Sequence, residues 1–143
     1  MYQKLTIVGN LGGDPEMRYT PSGQAVTNFS VATSRRWTGS DGQTQEETIW
    51  FRVSTWGKLA EICNQYLSKG SKVLAEGRLN IDKESGGPRI WTDQSGKPRA
   101  SYEMTALEVK FLSSRSESNQ GFSGAPAANI DHDPGITEDE IPF

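Results

Sequence analysis

From Thr48 to Trp56 the chain reads TIWFRVSTW, with two indoles, Trp50 and Trp56, on either side of a guanidinium, Arg52. In a β-strand alternate side chains point to opposite faces. Thr48, Trp50, Arg52, Ser54 and Trp56 therefore share one face, and Ile49, Phe51, Val53 and Thr55 share the other, which has a core composition. The first set is a poor buried layer and a good surface for flat aromatic or anionic groups. Indoles stack on bases, and a nearby guanidinium engages phosphate or another π face. A second core or a subunit interface is the competing reading, because aromatics are enriched in strands and interfaces for ordinary packing reasons.

Catalytic chemistry has little to work with. The single histidine, His132, falls in a segment with no predicted element, so a Ser/His/Asp or Cys/His site would lack a rigid frame. One cysteine, Cys63, excludes an intramolecular disulfide and, with one histidine, a Cys/His zinc site. The glycines of Gly9 to Gly13 match neither a dinucleotide fingerprint nor a phosphate-binding loop and read as a tight turn. Asp14, Glu16 and Asp41 are the carboxylates a metal-dependent nuclease would use, but their spacing demands no metal. The expectation is a non-enzyme with no cofactor and no metal.

The elements that must carry the indoles follow from the hydrophobic period. A first strand runs from Gln3 to Val8 and is expected to stop at Gly9-Asn10, where the loop Asn10 to Glu16 begins. A long strand from Gln24 to Trp37 puts Ala25, Thr27, Phe29, Val31 and Thr33 on one face and Asn28, Ser30, Ser34 and Arg36 on the other. Polar residues Thr38 to Glu47 read as a flexible loop, and Thr48 to Trp56 is the third strand. The period then changes to that of a helix: Leu59, Ile62, Cys63, Tyr66 and Leu67 recur on one side, with Gly70 as the stop and Cys63 as a buried structural thiol. Alternation resumes with Val73, Ala75, Leu79 and Ile81 inward and Lys72, Glu76, Arg78 and Asn80 outward, Gly77 marking a bulge or bend. After the loop Lys83 to Arg89 come Ile90-Trp91-Thr92, a turn, and a last strand from about Arg99 to Leu112. Its apolar phase shifts between Met104 and Leu107, as a bulge would make it.

Five strands with one helix between the third and fourth is the order of an OB-fold, a partly open Greek-key barrel that binds oligonucleotides or oligosaccharides. An SH3-like barrel or a small α+β sheet fits the same elements. The net charge of −3 conceals two unlike regions: residues 1–112 hold 14 Lys+Arg against 12 Asp+Glu, and residues 113–143 hold 1 against 6. A mildly basic domain followed by an acidic tail is an asymmetry found in nucleic-acid-binding proteins. Segment 113–137, rich in Ser, Gly, Ala, Pro and Asn, has no period and is expected to be a disordered linker. It leads to Glu138, Asp139, Glu140, Ile141, Pro142 and Phe143, an acidic stretch with an apolar tip suited to a shallow pocket ringed by Lys or Arg. The start of the chain carries no secretory signal and no run approaches the ~20 apolar residues that span a bilayer, so the expected location is the cytoplasm, with the nucleoid.

With these residues in place the chain closely resembles the bacterial single-stranded DNA-binding protein family. The resemblance is carried by VGNLGGDPEMRYTPSGQAV from Val8, TSRRW ending at Trp37, TIWFRV from Thr48, WGKLAEICNQYLSKGSKV from Trp56, WTDQSG from Trp91 and the EDEIPF tip. It implies an OB-fold assembled as a homotetramer that wraps single-stranded DNA without strong sequence preference. It also implies recruitment of replication, recombination and repair proteins through residues 138–143. Family stacking positions fall on Trp37, Trp50, Trp56 and Trp91. Position 56 is more often phenylalanine in the family, Phe51 stands where a histidine involved in subunit contacts is familiar, and the stretch from Leu79 to Trp91 is longer than usual.

On this reading phosphates are tracked by Arg35, Arg36, Arg52, Lys58, Lys72 and Arg78. Two other classes stay open at the level of sequence: an interaction module whose indoles meet protein, and the metal-dependent nuclease.

Overall fold

A computed structural model describes residues 1–113; the linker and tip expected within 114–143 lie outside the described residues. Seven strands and one helix follow in the order β1 (Leu5–Leu11), β2 (Glu16–Tyr19), β3 (Ala25–Thr38), β4 (Thr44–Trp56), α1 (Gly57–Tyr66), β5 (Lys72–Leu79), β6 (Arg89–Thr92) and β7 (Pro98–Phe111). The sheet runs β1-β5-β7-β4-β3-β2, and β1 returns to pair with β3, closing a five-stranded barrel of β1, β3, β4, β5 and β7. All the barrel pairings are antiparallel except β4 with β7, which run parallel from Phe51↔Tyr102 to Ser54↔Thr105. With α1 between the third and fourth barrel strands, this is the OB-fold expected from the sequence.

The barrel interior is filled by Ile7, Leu11, Phe29, Val31, Val53, Val73, Ala75 and Met104, with Cys63 and Leu67 from the helix side covering one end. Each large apolar side chain buried here contributes about 1.5–3 kcal/mol. The helix is tied to this core by the Thr27 hydroxyl, which donates to the Ala60 carbonyl at 2.7 Å. Cys63 is fully buried. Burial pushes its thiol up to about 11 against a weaker opposing hydrogen bond with Thr55.

Local expectations are refined by tertiary contacts. Strand β1 does not stop at Gly9-Asn10 but continues to Leu11, because closure onto β3 through Asn10↔Ala32 and Leu11↔Val31 needs both residues in the sheet. Gly9 is the point of closest approach, where a Cβ would collide with the Ala32 carbonyl. Part of the expected 38–47 loop is strand, and only Gly39–Gln43 turns: Gly39 N–H donates to Gln43 O at 2.8 Å and Gly42 N–H to Gly39 O at 3.0 Å. The residues gained are polar on both faces because β3 and β4 project here as a two-stranded arm beyond the stretch that β7 covers. Ile49 therefore lies exposed on the arm while Val53 and Thr55, on the same face, are fully buried. Strand β2, four residues and too short for its alternation to signal a strand, exists by pairing with Ala25–Asn28.

The bends expected at Gly77 and between Met104 and Leu107 are one feature. Glu76 pairs with Glu108 and Gly77 with Ala106, so Leu107 is the extra residue of a bulge on β7. Gly77 is the residue that fits opposite it, since a Cβ there would meet the Thr105 carbonyl.

Candidate nucleic-acid interface

Register decides which indoles share a surface. On β4, Trp50, Arg52, Ser54 and Trp56 face outward, opposite Ala32, Ser30, Asn28 and Val26 of β3. The parallel pairing sets Arg52 beside Glu103 and Ser54 beside Thr105 on β7, and Thr105 beside Arg78 on β5. Continuing along β7, Ser101 and Arg99 share the phase of Glu103, and Trp91 pairs with Arg99 on β6. Trp50, Trp56 and Trp91 thus share one continuous outward face with Arg52 and Arg78. Their exposures are 53%, 42% and 45%, high for residues of this size in a sheet.

Trp37 belongs to the other face of the arm. It alternates with Arg35 and Thr33 and pairs with Gln45, in the phase of Ile49 and Phe51. It is 40% exposed, and the Arg35 guanidinium sits over its ring at 4.7 Å. Of the six cations expected to track phosphate, Arg52 and Arg78 lie on the indole face, and Arg36 lies in the same phase farther out on the arm. Lys58 is on α1, 3.5 Å from Glu61. Lys72 and Arg78 do share the outward phase of β5, but they are six residues apart, about 20 Å along the strand.

Two indoles are held by neighbours that the sequence alone does not single out. Gly12 lies against Trp50: a Cβ at Gly12 would stand 2.7 Å from Cη2 of the indole. The Gly12 N–H donates to Ser30 O at 3.0 Å, which fixes the loop against β3. An open cleft of about 480 Å³ results, lined by Trp50, Arg52, Asn28 and Ser30 on one side and Gly12 and Asp14 on the other. Ser54 donates to Asn28 Oδ1 at 2.6 Å and braces its floor.

On the second ribbon, Trp91 Nε1–H donates to Ser101 Oγ at 2.8 Å, Arg89 pairs with Glu103 at 3.0 Å, and Arg99 pairs with Asp93 at 2.9 Å. Asp93 also accepts the Ser95 hydroxyl and the Ser95 and Lys97 amides. These bonds, led by the Ser95 hydroxyl, hold its carboxyl down at about 2. The stretch 82–87, part of the long segment before Trp91, is likewise a closed turn. Asp82 accepts the Glu84 and Ser85 amides, and its carboxyl is lowered, chiefly by the Ser85 amide.

Asp14, Glu16 and Asp41 do not converge, and among the described residues no three of His, Cys, Asp or Glu stand where they would hold a metal. Asp14 instead accepts the Lys69 amide at 2.8 Å.

Comparison with known proteins bears on the same region. A family model described as "Single-strand binding protein family" matches residues 2–112. A single-stranded DNA-binding protein of Wolinella succinogenes is 42% identical over 134 residues, covering 94% of this chain and 78% of its own length. One from Neisseria meningitidis serogroup A is 44% identical over 118 residues, covering 82% of this chain, which spans 64% of that relative. Among solved structures, an SSB of Plasmodium falciparum in complex with ssDNA superposes with a TM-score of 0.64 at 23% identity, covering 79% of this chain and 97% of that one. A deletion mutant of the single-stranded DNA binding protein from Thermus aquaticus superposes with a TM-score of 0.61 at 29% identity, covering 79% of this chain and 51% of that one.

Proposed function

The chain belongs to the single-strand binding protein family, whose members are DNA-binding proteins and not enzymes, and we propose that it binds and protects single-stranded DNA without sequence preference. The observation that carries this reading is the row of three half-exposed indoles around Arg52 and Arg78 on one sheet face. Every base has a π face, so stacking on an indole, worth about 1–3 kcal/mol per base, is indifferent to sequence. The arginines add phosphate attraction, which is salt-dependent and equally indifferent. Trp37, on the opposite face of the arm, serves as a fourth platform when the strand passes around the arm, and Arg35, Arg36, Lys58 and Lys72 extend the phosphate track.

The protein acts in replication, recombination and repair, at the nucleoid, as a homotetramer. Self-association is favoured by the face opposite the indole row, where Ile49, Ile90 and Tyr102 are exposed beside Phe51, whose ring centroid is 5.8 Å from that of Tyr102. No helix among the described residues is long and apolar enough to cross a membrane. Residues Glu138 to Phe143 recruit partner proteins; when unengaged, they compete weakly with DNA for the basic groove.

Titration of intrinsic tryptophan fluorescence with oligo(dT) at several salt concentrations tests the central claim. Strong quenching and a log–log slope of about −0.7 per neutralised phosphate are expected. Full-strength binding by the W50A/W56A double variant, or binding indifferent to salt, sinks it. Deleting residues 138–143 should abolish partner recruitment and slightly tighten DNA binding at low salt.

A further inference from the structure

On the β3–β4 arm both arginines are already neutralised from within the chain. Arg35 stands directly across from Glu47 and Arg36 across from Glu46. The Nε–Oε distances are 3.1 and 3.0 Å. Adjacent residues of a strand point to opposite faces, so there is one ion pair on each side of the arm. The Arg35 pair lies beside Trp37, and the Arg36 pair lies in the phase of Trp50. A backbone phosphate that reaches either guanidinium meets an occupied site. The carboxylates and the phosphate are both oxyanions that suit the same planar donors, so the two compete.

We propose that Glu46 and Glu47 are internal phosphate competitors that set the strength and salt dependence of single-strand binding on the arm. This rests on the reading of the indole face as the DNA site. Exposed ion pairs are weak, so phosphate displaces the carboxylates when a strand is laid along the arm. The exchange swaps one neutralised pair for another, and the two arginines release fewer condensed counterions from the DNA than unpaired arginines would. The arm therefore gives way readily to a competing strand, and its hold changes less with salt than that of unpaired arginines would, while the indoles of the sheet face continue to hold.

The test compares wild type with the E46Q/E47Q double variant of the full chain, titrated with oligo(dT) between low and moderate salt. The variant is expected to bind about threefold to tenfold tighter at low salt, with a log–log slope steeper by up to about 1.4, two phosphates at about 0.7 each. The E84Q/E108Q variant carries the same change of net charge away from the arm and is expected to show less than half of either effect. In an R36Q background, E46Q should change nothing further, which separates competition for that guanidinium from general charge. An unchanged slope in E46Q/E47Q, or an equal change in the E84Q/E108Q control, overturns the proposal even if W50A/W56A has lost affinity and the DNA site stands. Undiminished binding by W50A/W56A removes the site itself and the proposal with it.

Discussion

The indole N–H of Trp91 is fastened to the hydroxyl of Ser101 across the β6–β7 ribbon at 2.8 Å, so the ring is held by its polar edge while its faces remain open. On the proposed reading of Trp91 as a stacking platform, a ring restrained in this way loses less rotamer freedom when a base settles on it. Ser101→Ala is expected to leave the fold intact, lower the fluorescence anisotropy of Trp91 in a variant whose other tryptophans are phenylalanine, and weaken oligo(dT) binding by about 0.5–1 kcal/mol. Unchanged anisotropy would show that the hydroxyl does not hold the ring.

The turn that sets this ribbon depends on an ionised Asp93. Its carboxyl is held at about 2 against an ordinary 3.8, mainly by the Ser95 hydroxyl and then by the Lys97 amide and Arg99. The folded value is depressed, so the contribution to stability is complete above about pH 4 and is lost as pH falls through about 2. The stability gap between wild type and Asp93→Asn, measured by urea unfolding, should be constant from pH 7 to about 4 and should close toward pH 2. A gap that does not change with pH would mean that the carboxylate charge is irrelevant to the turn.

Gly12 and Gly9 are three residues apart and should fail differently. A methyl at Gly12 meets the far end of the Trp50 side chain, which can turn, whereas a methyl at Gly9 meets the backbone of β3, which cannot. Gly12→Ala should therefore melt close to wild type, shift the Trp50 signal, and weaken oligo(dT) binding by on the order of 1 kcal/mol, up to the worth of one stacked base. In a Trp50→Ala background it should add nothing. Gly9→Ala should lower the melting temperature by several degrees at least, as overpacking against a fixed backbone does.

Cys63 is expected to be inert in the folded protein. Its thiol is pushed up to about 11 by burial, so almost none is thiolate at pH 8. A thiol-reactive dye should label the native chain far more slowly than the urea-unfolded chain. Because the folded value lies above the ordinary 9.0, the stability linked to this group is complete below about pH 9 and is lost as pH rises through about 11. Rapid native labelling at pH 8 would show that the helix opens readily over the core.

The barrel strands, the helix and the bulge were legible in the sequence because each is written in a local period: alternation in Thr48–Trp56, the 3.6 spacing of Leu59 to Leu67, the broken phase after Met104. The arm was not legible as strand, since Thr44–Glu47 face solvent on both sides and carry no hydrophobic signal; only the register with Arg35–Thr38 reveals them. The same blindness hid the carboxylates opposite Arg35 and Arg36. The opposite facing of Trp37 and Trp50 could be read from parity only if the hairpin turn were known to lie between Thr38 and Thr44. Gly12 and Ser101 act through contacts between segments distant in sequence, for which one chain offers no pattern.

Strand β7 has a consequence for how the protein is made. It pairs with β4, β5 and β6, and through it Arg52 is brought into line with Trp91 and Arg78. During synthesis Trp50 and Trp56 therefore leave the ribosome long before the strand that completes their surface. Pairings this remote in sequence form late. The continuous face that joins Trp50 and Trp56 to Trp91 and Arg78 therefore exists only once β7 has been laid between its neighbours, one of the last elements of the described chain to emerge.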